Sequence, residues 1–250
     1  MLTQPTLDHM NAMKMFFMVD AFQRQLASTQ SSALSFEERL GLLIDAEWSG
    51  REQRKLNQRL RTAHLRHSAS IEDVDFKAHR GLSRDLVLAL GRGDWLRERQ
   101  NLLITGPTGV GKSYLACAFA ERACRSGFTA LYLRAPRLYQ ELAVSRGDGS
   151  YGRLLARLTR TQLLIIDDWG LAPLKDQERR DLLEVVEDRY ERASTLITSQ
   201  LPIKAWHEVI GDATLADAIC DRLVHCAHRL ELKGPSLRET KAKPAGKGAA

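Results

Sequence analysis

Three glycines in the spacing Gly106-x-x-Gly109-x-Gly111 are closed by Lys112 and Ser113. They stand between the apolar run Leu102-Leu103-Ile104-Thr105 and the helical pattern Tyr114-Leu115-Ala116-Cys117-Ala118-Phe119-Ala120. A strand that passes through such a turn into a helix curls its backbone N–H groups around an anion. The helix then adds the positive end of its dipole. Gly106, Pro107, Thr108, Gly109, Val110, Gly111, Lys112 and Ser113, with Tyr114 at the helix start, are therefore expected to hold the phosphates of a nucleotide. In this pattern Lys112 reaches the β- and γ-phosphates, and the Ser113 hydroxyl holds Mg²⁺.

Strand-like runs recur at 102–105, 130–133, 163–167, 195–198 and 229–232, with helical patterns between them. This alternation predicts an α/β fold, a parallel five-stranded sheet flanked by helices. Residues 1–70 instead pattern as helix throughout. A first helix is expected to start at Thr6 or Asp8, to carry Met10, Met13, Phe17 and Phe22, and to break at Gln30-Ser31-Ser32. Ser35-Phe36-Glu37-Glu38 has capping-box spacing, and Leu40, Leu43, Ile44 and Trp48 follow at helical spacing as an apolar face. The expected organisation is a helical domain over 1–70, a nucleotide-binding domain over 71–238 that opens with a linker and a helix near Ser83, and a disordered basic tail over 239–250.

The 250 residues, 44% hydrophobic and 27% charged, suffice for a packed core in a domain of that size plus a smaller module. No apolar run approaches the roughly 18 residues needed to cross a bilayer, so a cytoplasmic protein is expected, with no membrane partner. Cys117, Cys124, Cys220 and Cys226 form no CxxC pair and fit reduced thiols; together with His225 and His228 they match no common zinc spacing.

Leu163-Leu164-Ile165-Ile166 leads into Asp167-Asp168, an apolar strand that presents two carboxylates where the ligands of a parallel sheet bind. Asp167 is expected to orient Mg²⁺, which prefers oxygen ligands, and Asp168 to polarise an attacking water. The strand Leu196-Ile197-Thr198-Ser199-Gln200 ends in polar side chains able to reach the γ-phosphate or that water.

With these residues in place, the chain resembles the AAA+ ATPases and, within them, the IstB-like transposition helper ATPases of bacterial insertion sequences. The segments SFEERLGLLIDAEW, QNLLITGPTGVGKSYLACAFAERAC, LLIIDDWGLAPL and TLITSQLPIKAWHEVIGDATLADAICDRLVHCAHRLELKG carry the likeness over nearly its whole length. The resemblance implies an ATPase with ATP and Mg²⁺ as cofactors. Lys112, Ser113 and Asp167 correspond to the Walker A and Walker B positions. Asp168 stands where most AAA+ proteins have glutamate; being one methylene shorter, it implies slow or assembly-dependent hydrolysis. Thr198 or Gln200 falls at the sensor 1 position. Arg222 resembles an arginine finger offered to a neighbouring subunit, and Arg238 resembles the sensor 2 arginine.

A net charge of +6 is mildly basic, and its distribution is uneven. Arg51, Arg54, Lys55, Arg59, Arg61 and Arg66 stand against the single anion Glu52, and Arg146, Arg153, Arg157 and Arg160 surround Gly147-Asp148-Gly149. Such cations contact phosphate oxygens without reading sequence, so the expected partner is double-stranded DNA, bound largely without sequence preference. The resemblance implies a homo-oligomer that assembles on DNA under ATP control and delivers or activates a cognate transposase. A replicative helicase loader is the alternative within the same ATPase group. A small-molecule P-loop kinase and an ATP-binding scaffold without hydrolysis are the alternatives outside it.

Overall fold

The computed structural model describes residues 3–78 and 80–237. It divides into two compact units, Met1–Gln58 and Arg59–Ala250. Among the described residues no helix is long and apolar enough to cross a membrane.

The first unit is helical. Helix α1 spans Thr3–Ala12 and α2 spans Phe16–Ala27, where the sequence pattern suggested one continuous helix. Lys14, in the left-handed region at φ +58, makes the break. Met15 N then bonds back to Met10 O and Lys14 N to Asn11 O, both at 2.9 Å, which closes the α1 C-terminus. Glycine usually fills this position, so a lysine there leaves no punctuation in the sequence. Helix α3 runs Phe36–Ala63 and begins with the expected capping box: Glu38 N donates to Ser35 Oγ at 3.2 Å, and Ser35 N donates to Glu38 Oε2 at 2.8 Å. The contacts divide within α3, so residues 59–63 of this helix belong to the second unit.

The face of α3 that packs differs from the expected stripe. Leu43 and Ala46 join Met18, Ala21, Met10, Met15 and Phe22 in a small core. A Cβ on Gly50 would lie 2.2 Å from the Phe17 ring, so this glycine sets how closely α2 approaches. Leu43, Ala46, Glu47 and Gly50 thus share one face at helical spacing. Leu40, Ile44 and Trp48 are 41%, 51% and 68% exposed. Glu47, buried on the packed face, accepts from Met18 N at 2.9 Å and pairs with Arg51 at 2.6 Å. It therefore satisfies a backbone donor in the first turn of α2 that has no helical partner.

The second unit is built on five parallel strands: β1 Asn101–Thr105, β2 Ala130–Arg134, β3 Leu163–Trp169, β4 Ser194–Ser199 and β5 Ala227–Glu231. Their spatial order is β2-β3-β4-β1-β5, and every adjacent pair is parallel. Each expected strand is present, with no end displaced by more than two residues. Helices α4 Arg84–Gly91 and α5 Asp94–Arg97 precede the sheet; Ser83 caps α4 through Leu86 N. Helices α6 Lys112–Arg125, α7 Ala135–Gly147, α8 Tyr151–Arg160, α9 Asp176–Arg189, α10 Trp206–Ile210 and α11 Ala213–Val224 connect or follow the strands.

Burial on both sides explains the continuous apolar strands. Leu103, Leu131, Leu164, Ile166 and Ile197 pack with residues of α7, α8, α9 and α11, while the alternate positions Leu102, Ile104, Leu163, Ile165 and Leu196 are equally inaccessible to water. Arg189, 2% exposed, closes one corner of this unit: its guanidinium donates to the carbonyls of Leu158, Thr161 and Ser194 and to Thr195 Oγ1.

Candidate functional site

The strand order sets β1 beside β4 and β4 beside β3, so the turn after β1 and the acidic end of β3 meet at the carboxyl edge of the sheet. The 106–113 turn is closely packed there. A Cβ on Gly106, at φ +144, would sit 2.3 Å from the Leu232 carbonyl oxygen, so no other residue fits without moving backbone. Lys112 opens α6, and its Nζ donates to the Gly106 and Pro107 carbonyls, each at 2.7 Å. Those bonds hold the amine against the backbone of the turn.

Ser113 Oγ donates to Asp167 Oδ1 at 2.9 Å, which joins the two motifs directly. Asp167 is fully buried; besides Ser113 it accepts from Thr198 Oγ1 and from the Tyr132 hydroxyl. A hydroxyl and a carboxylate this close form the hard oxygen donor set that Mg²⁺ prefers. Burial, reinforced by the Asp167 carboxylate, pushes the Tyr132 phenol's pKa up, so it remains a hydrogen-bond donor.

Asp168 departs from its neighbours in geometry. Its φ is +60, and the pairing of β3 with β4 shifts register between Ile166 and Trp169. This bulge turns Asp168 away from the ladder, and its N–H donates to Thr198 Oγ1 at 3.1 Å. Arg134 Nε, at the end of β2, donates to Asp168 Oδ2 at 2.8 Å. Thr198 therefore links both aspartates, whereas Gln200 accepts from Thr108 Oγ1 at 2.7 Å and lies against the phosphate turn. The two sensor candidates thus hold different parts of the site.

Arg66, grouped by sequence with the DNA-contacting cations, lies 3.9 Å from both Asp167 Oδ2 and Asp168 Oδ2. After α3 ends, His64 at φ +51 turns the chain toward the sheet edge. The Tyr132 hydroxyl, more than the two carboxylates, raises the pKa of the Arg66 guanidinium. Tyr132 and Arg134 carry no signal in the sequence: they lie on β2, whose adjacency to β3 is a property of the sheet order.

Arg222 of α11 pairs with Glu187 and donates to the Ala218 carbonyl at 2.9 Å. Its own carbonyl accepts from Asn101 Nδ2 at 3.0 Å, at the start of β1. The phosphate turn follows the other end of that strand, roughly 13 Å away at 3.3 Å per residue. Arg222 is therefore remote from the phosphate turn of its own chain. Arg238 and the 239–250 tail lie outside the described residues.

The other cations differ in their engagements. Arg51 holds Glu47, Lys55 pairs with Glu52 at 2.8 Å, and Arg54 stands 5.0 Å from the Phe17 ring centre. Arg59 Nε donates to the Cys124 carbonyl at 2.9 Å, and Arg61 is exposed. Arg146 donates to Asp181 at 2.8 Å and lies 3.8 Å over the Tyr151 ring, fastening α7 to α8 and α9. Arg153, Arg157 and Arg160 are exposed on α8.

Comparison with known proteins agrees with this architecture. The family model described as IstB-like ATP binding protein matches residues 8–245. The insertion sequence ATP-binding protein y4pL of Sinorhizobium fredii is 56% identical over 238 residues, covering 95% of this chain and 97% of that protein. The insertion sequence IS21 ATP-binding protein of Pseudomonas aeruginosa is 31% identical over 246 residues, 98% of this chain and 90% of that protein. Among solved structures, DnaI superposes with a TM-score of 0.56 at 22% identity, over 66% of this chain and 91% of its own. The DnaC helicase loader superposes with a TM-score of 0.54 at 19% identity, over 66% and 97%. At those identities the structural likeness establishes the fold.

Proposed function

Because the chain belongs to the IstB-like ATP-binding proteins of insertion sequences, a family of AAA+ ATPases, we propose that it is a transposition helper. In this reading it assembles on duplex DNA, recruits or activates a transposase, and uses ATP binding and hydrolysis as the assembly switch. The observation that carries it is the split between Ser113, Asp167 and Thr198 at one end of β1 and Arg222 at the other. An arginine so far from its own phosphate turn can complete the site of a neighbouring subunit, which ties nucleotide state to oligomerisation.

In the proposed chemistry the 106–113 backbone and Lys112 bind the polyphosphate, while Ser113 and Asp167 hold Mg²⁺. The ion, when bound, neutralises charge on the phosphate oxygens. Asp168 accepts a proton from the attacking water, and Thr198 fixes the positions of Asp167 and Asp168. Gln200 is available to the phosphate side through Thr108. The DNA-facing cations proposed are Arg54, Lys55, Arg61, Arg153, Arg157 and Arg160, whose exposure suits phosphate contacts. The insertion-sequence relatives favour the helper over a helicase loader, whose likeness here lies in the fold.

The test is DNA binding and oligomer size measured with ATP, ADP and no nucleotide, in wild type, Lys112→Ala and Arg222→Ala. ATP should promote assembly on duplex DNA in wild type alone. Equal DNA binding by wild type and Lys112→Ala in every nucleotide condition refutes the switch. Normal hydrolysis by assembled Arg222→Ala refutes the trans-acting arginine.

A further inference from the structure

Arg80 is a buried cation beside the phosphate turn, only 4% exposed. Its Nη1 donates to the Val110 carbonyl at 3.0 Å and its Nη2 to the Asp75 carbonyl at 2.7 Å. Its own carbonyl accepts from Lys233 N at 2.9 Å, which ties the linker before α4 to the segment after β5. Among the described residues Nε has no hydrogen-bond partner, and Arg80 enters none of the ion pairs. A Cβ on Gly111, at φ +95, would lie 2.6 Å from Nη1, so the last glycine of the turn leaves room for this guanidinium as well as for the turn itself.

Burying a guanidinium without a carboxylate is costly, and the usual remedy is a compensating anion. The Asp75 carboxylate lies near enough to raise the Arg80 pKa, but it makes no hydrogen bond or ion pair with the guanidinium and burial outweighs it, so the pKa falls below its ordinary value, the direction of an incompletely compensated cation. The anion that the neighbouring turn is shaped to receive is a polyphosphate. We propose that Arg80 is a positioning residue of the phosphate turn: it anchors the Val110 carbonyl and supplies a buried positive charge that raises affinity for the polyphosphate of a nucleotide. The inference rests on the nucleotide reading of 106–113 and adds a second cation, contributed by the linker, to Lys112.

The test is calorimetric titration of the full chain with ADP and, separately, with inorganic pyrophosphate, in wild type, Arg80→Gln and Arg80→Lys. Ligand-free melting temperatures are measured first to establish folding. Arg80→Gln keeps a donor for Val110 and loses the charge, so it should bind both ligands roughly tenfold more weakly, about the effect of 1.4 kcal/mol. Arg80→Lys should recover most of that loss. Wild-type affinity in folded Arg80→Gln, a loss confined to ADP, or an Arg80→Lys as weak as Arg80→Gln each overturns the proposal. If Arg80→Gln does not fold, Arg80→Met, neutral but with a stem of similar length, takes its place: roughly tenfold weaker pyrophosphate binding in the folded variant supports the charge, and wild-type affinity overturns it. A wild type that binds neither ligand refutes the nucleotide reading itself, a result distinct from any variant effect.

Discussion

The carboxyl edge of the sheet and the amino-terminal helical unit solve the problem of buried polar groups at different densities. At the sheet edge, Ser113, Tyr132 and Thr198 converge on the fully buried Asp167, and Asp168 is held by Arg134 and by the register shift in β3. In the amino-terminal unit Glu47 is the one buried carboxylate among the described residues; it serves the backbone at the start of α2 and one arginine, and the apolar core is small. A closely tied network places reacting groups to within a fraction of an ångström, whereas a small core leaves much of its apolar surface uncovered. The first arrangement suits chemistry, and the second leaves Ile44 and Trp48 facing water.

Four substitutions test that contrast, beginning with the largest effect. Asp168→Asn should slow hydrolysis by about a thousandfold, as expected for loss of a general base, while ADP titration shows binding retained. Slowing of less than about tenfold would give the base role to another group. Leu43→Ala, at the centre of the small core, should lower the unfolding free energy of the amino-terminal unit by about 2–3 kcal/mol in urea melts. Glu47→Gln should cost about 1–2 kcal/mol at neutral pH through the Met18 and Arg51 contacts.

The pH dependence that the third substitution removes has a defined sign. Burial acts to raise the Glu47 pKa, but the Met18 N–H and the Arg51 guanidinium outweigh it, and the folded carboxyl lies below its ordinary value. The group therefore adds stability above the ordinary glutamate range, and that increment disappears as pH falls through the lowered folded value. Acid melts should show it in wild type and not in Glu47→Gln; parallel curves would remove Glu47 from the account. Trp48→Ser, the smallest change, should alter stability by no more than about 0.5 kcal/mol. A cost like that of Leu43→Ala would mean that the 40–44–48 row is packed.

Much of what gathers at the carboxyl edge was legible before any tertiary information. The glycine spacing with Lys112 and Ser113, the apolar run ending in Asp167 and Asp168, and the strand ending at Thr198 each carry a local signal, since backbone conformation and strand burial constrain residue type directly. Arg66 shows where this stops. Its neighbours in sequence are basic helix residues, and only the turn at His64 delivers it to the two aspartates. Arg146 likewise looked like a phosphate contact in a basic cluster, and in the fold it clamps Asp181 and covers Tyr151.

In the helical unit, the capping box at Ser35 and Glu38 was readable because both partners lie within one turn. The break at Lys14 was hidden because a lysine occupies the left-handed position, and the packed face of α3 was hidden because apolar periodicity does not distinguish a row that meets a neighbour from one that meets water.

The sequence by itself determined the parallel α/β sheet, the phosphate turn and the acidic strand, because strand burial and positive-φ glycines are enforced over a few adjacent residues. Only the tertiary structure decided that Tyr132 and Arg134 attend the aspartates, that Arg80 lies beside Val110, and that α3 packs through Gly50. Each of those facts depends on which distant segments become neighbours. Chain topology and close packing set that adjacency, and no local pattern records it.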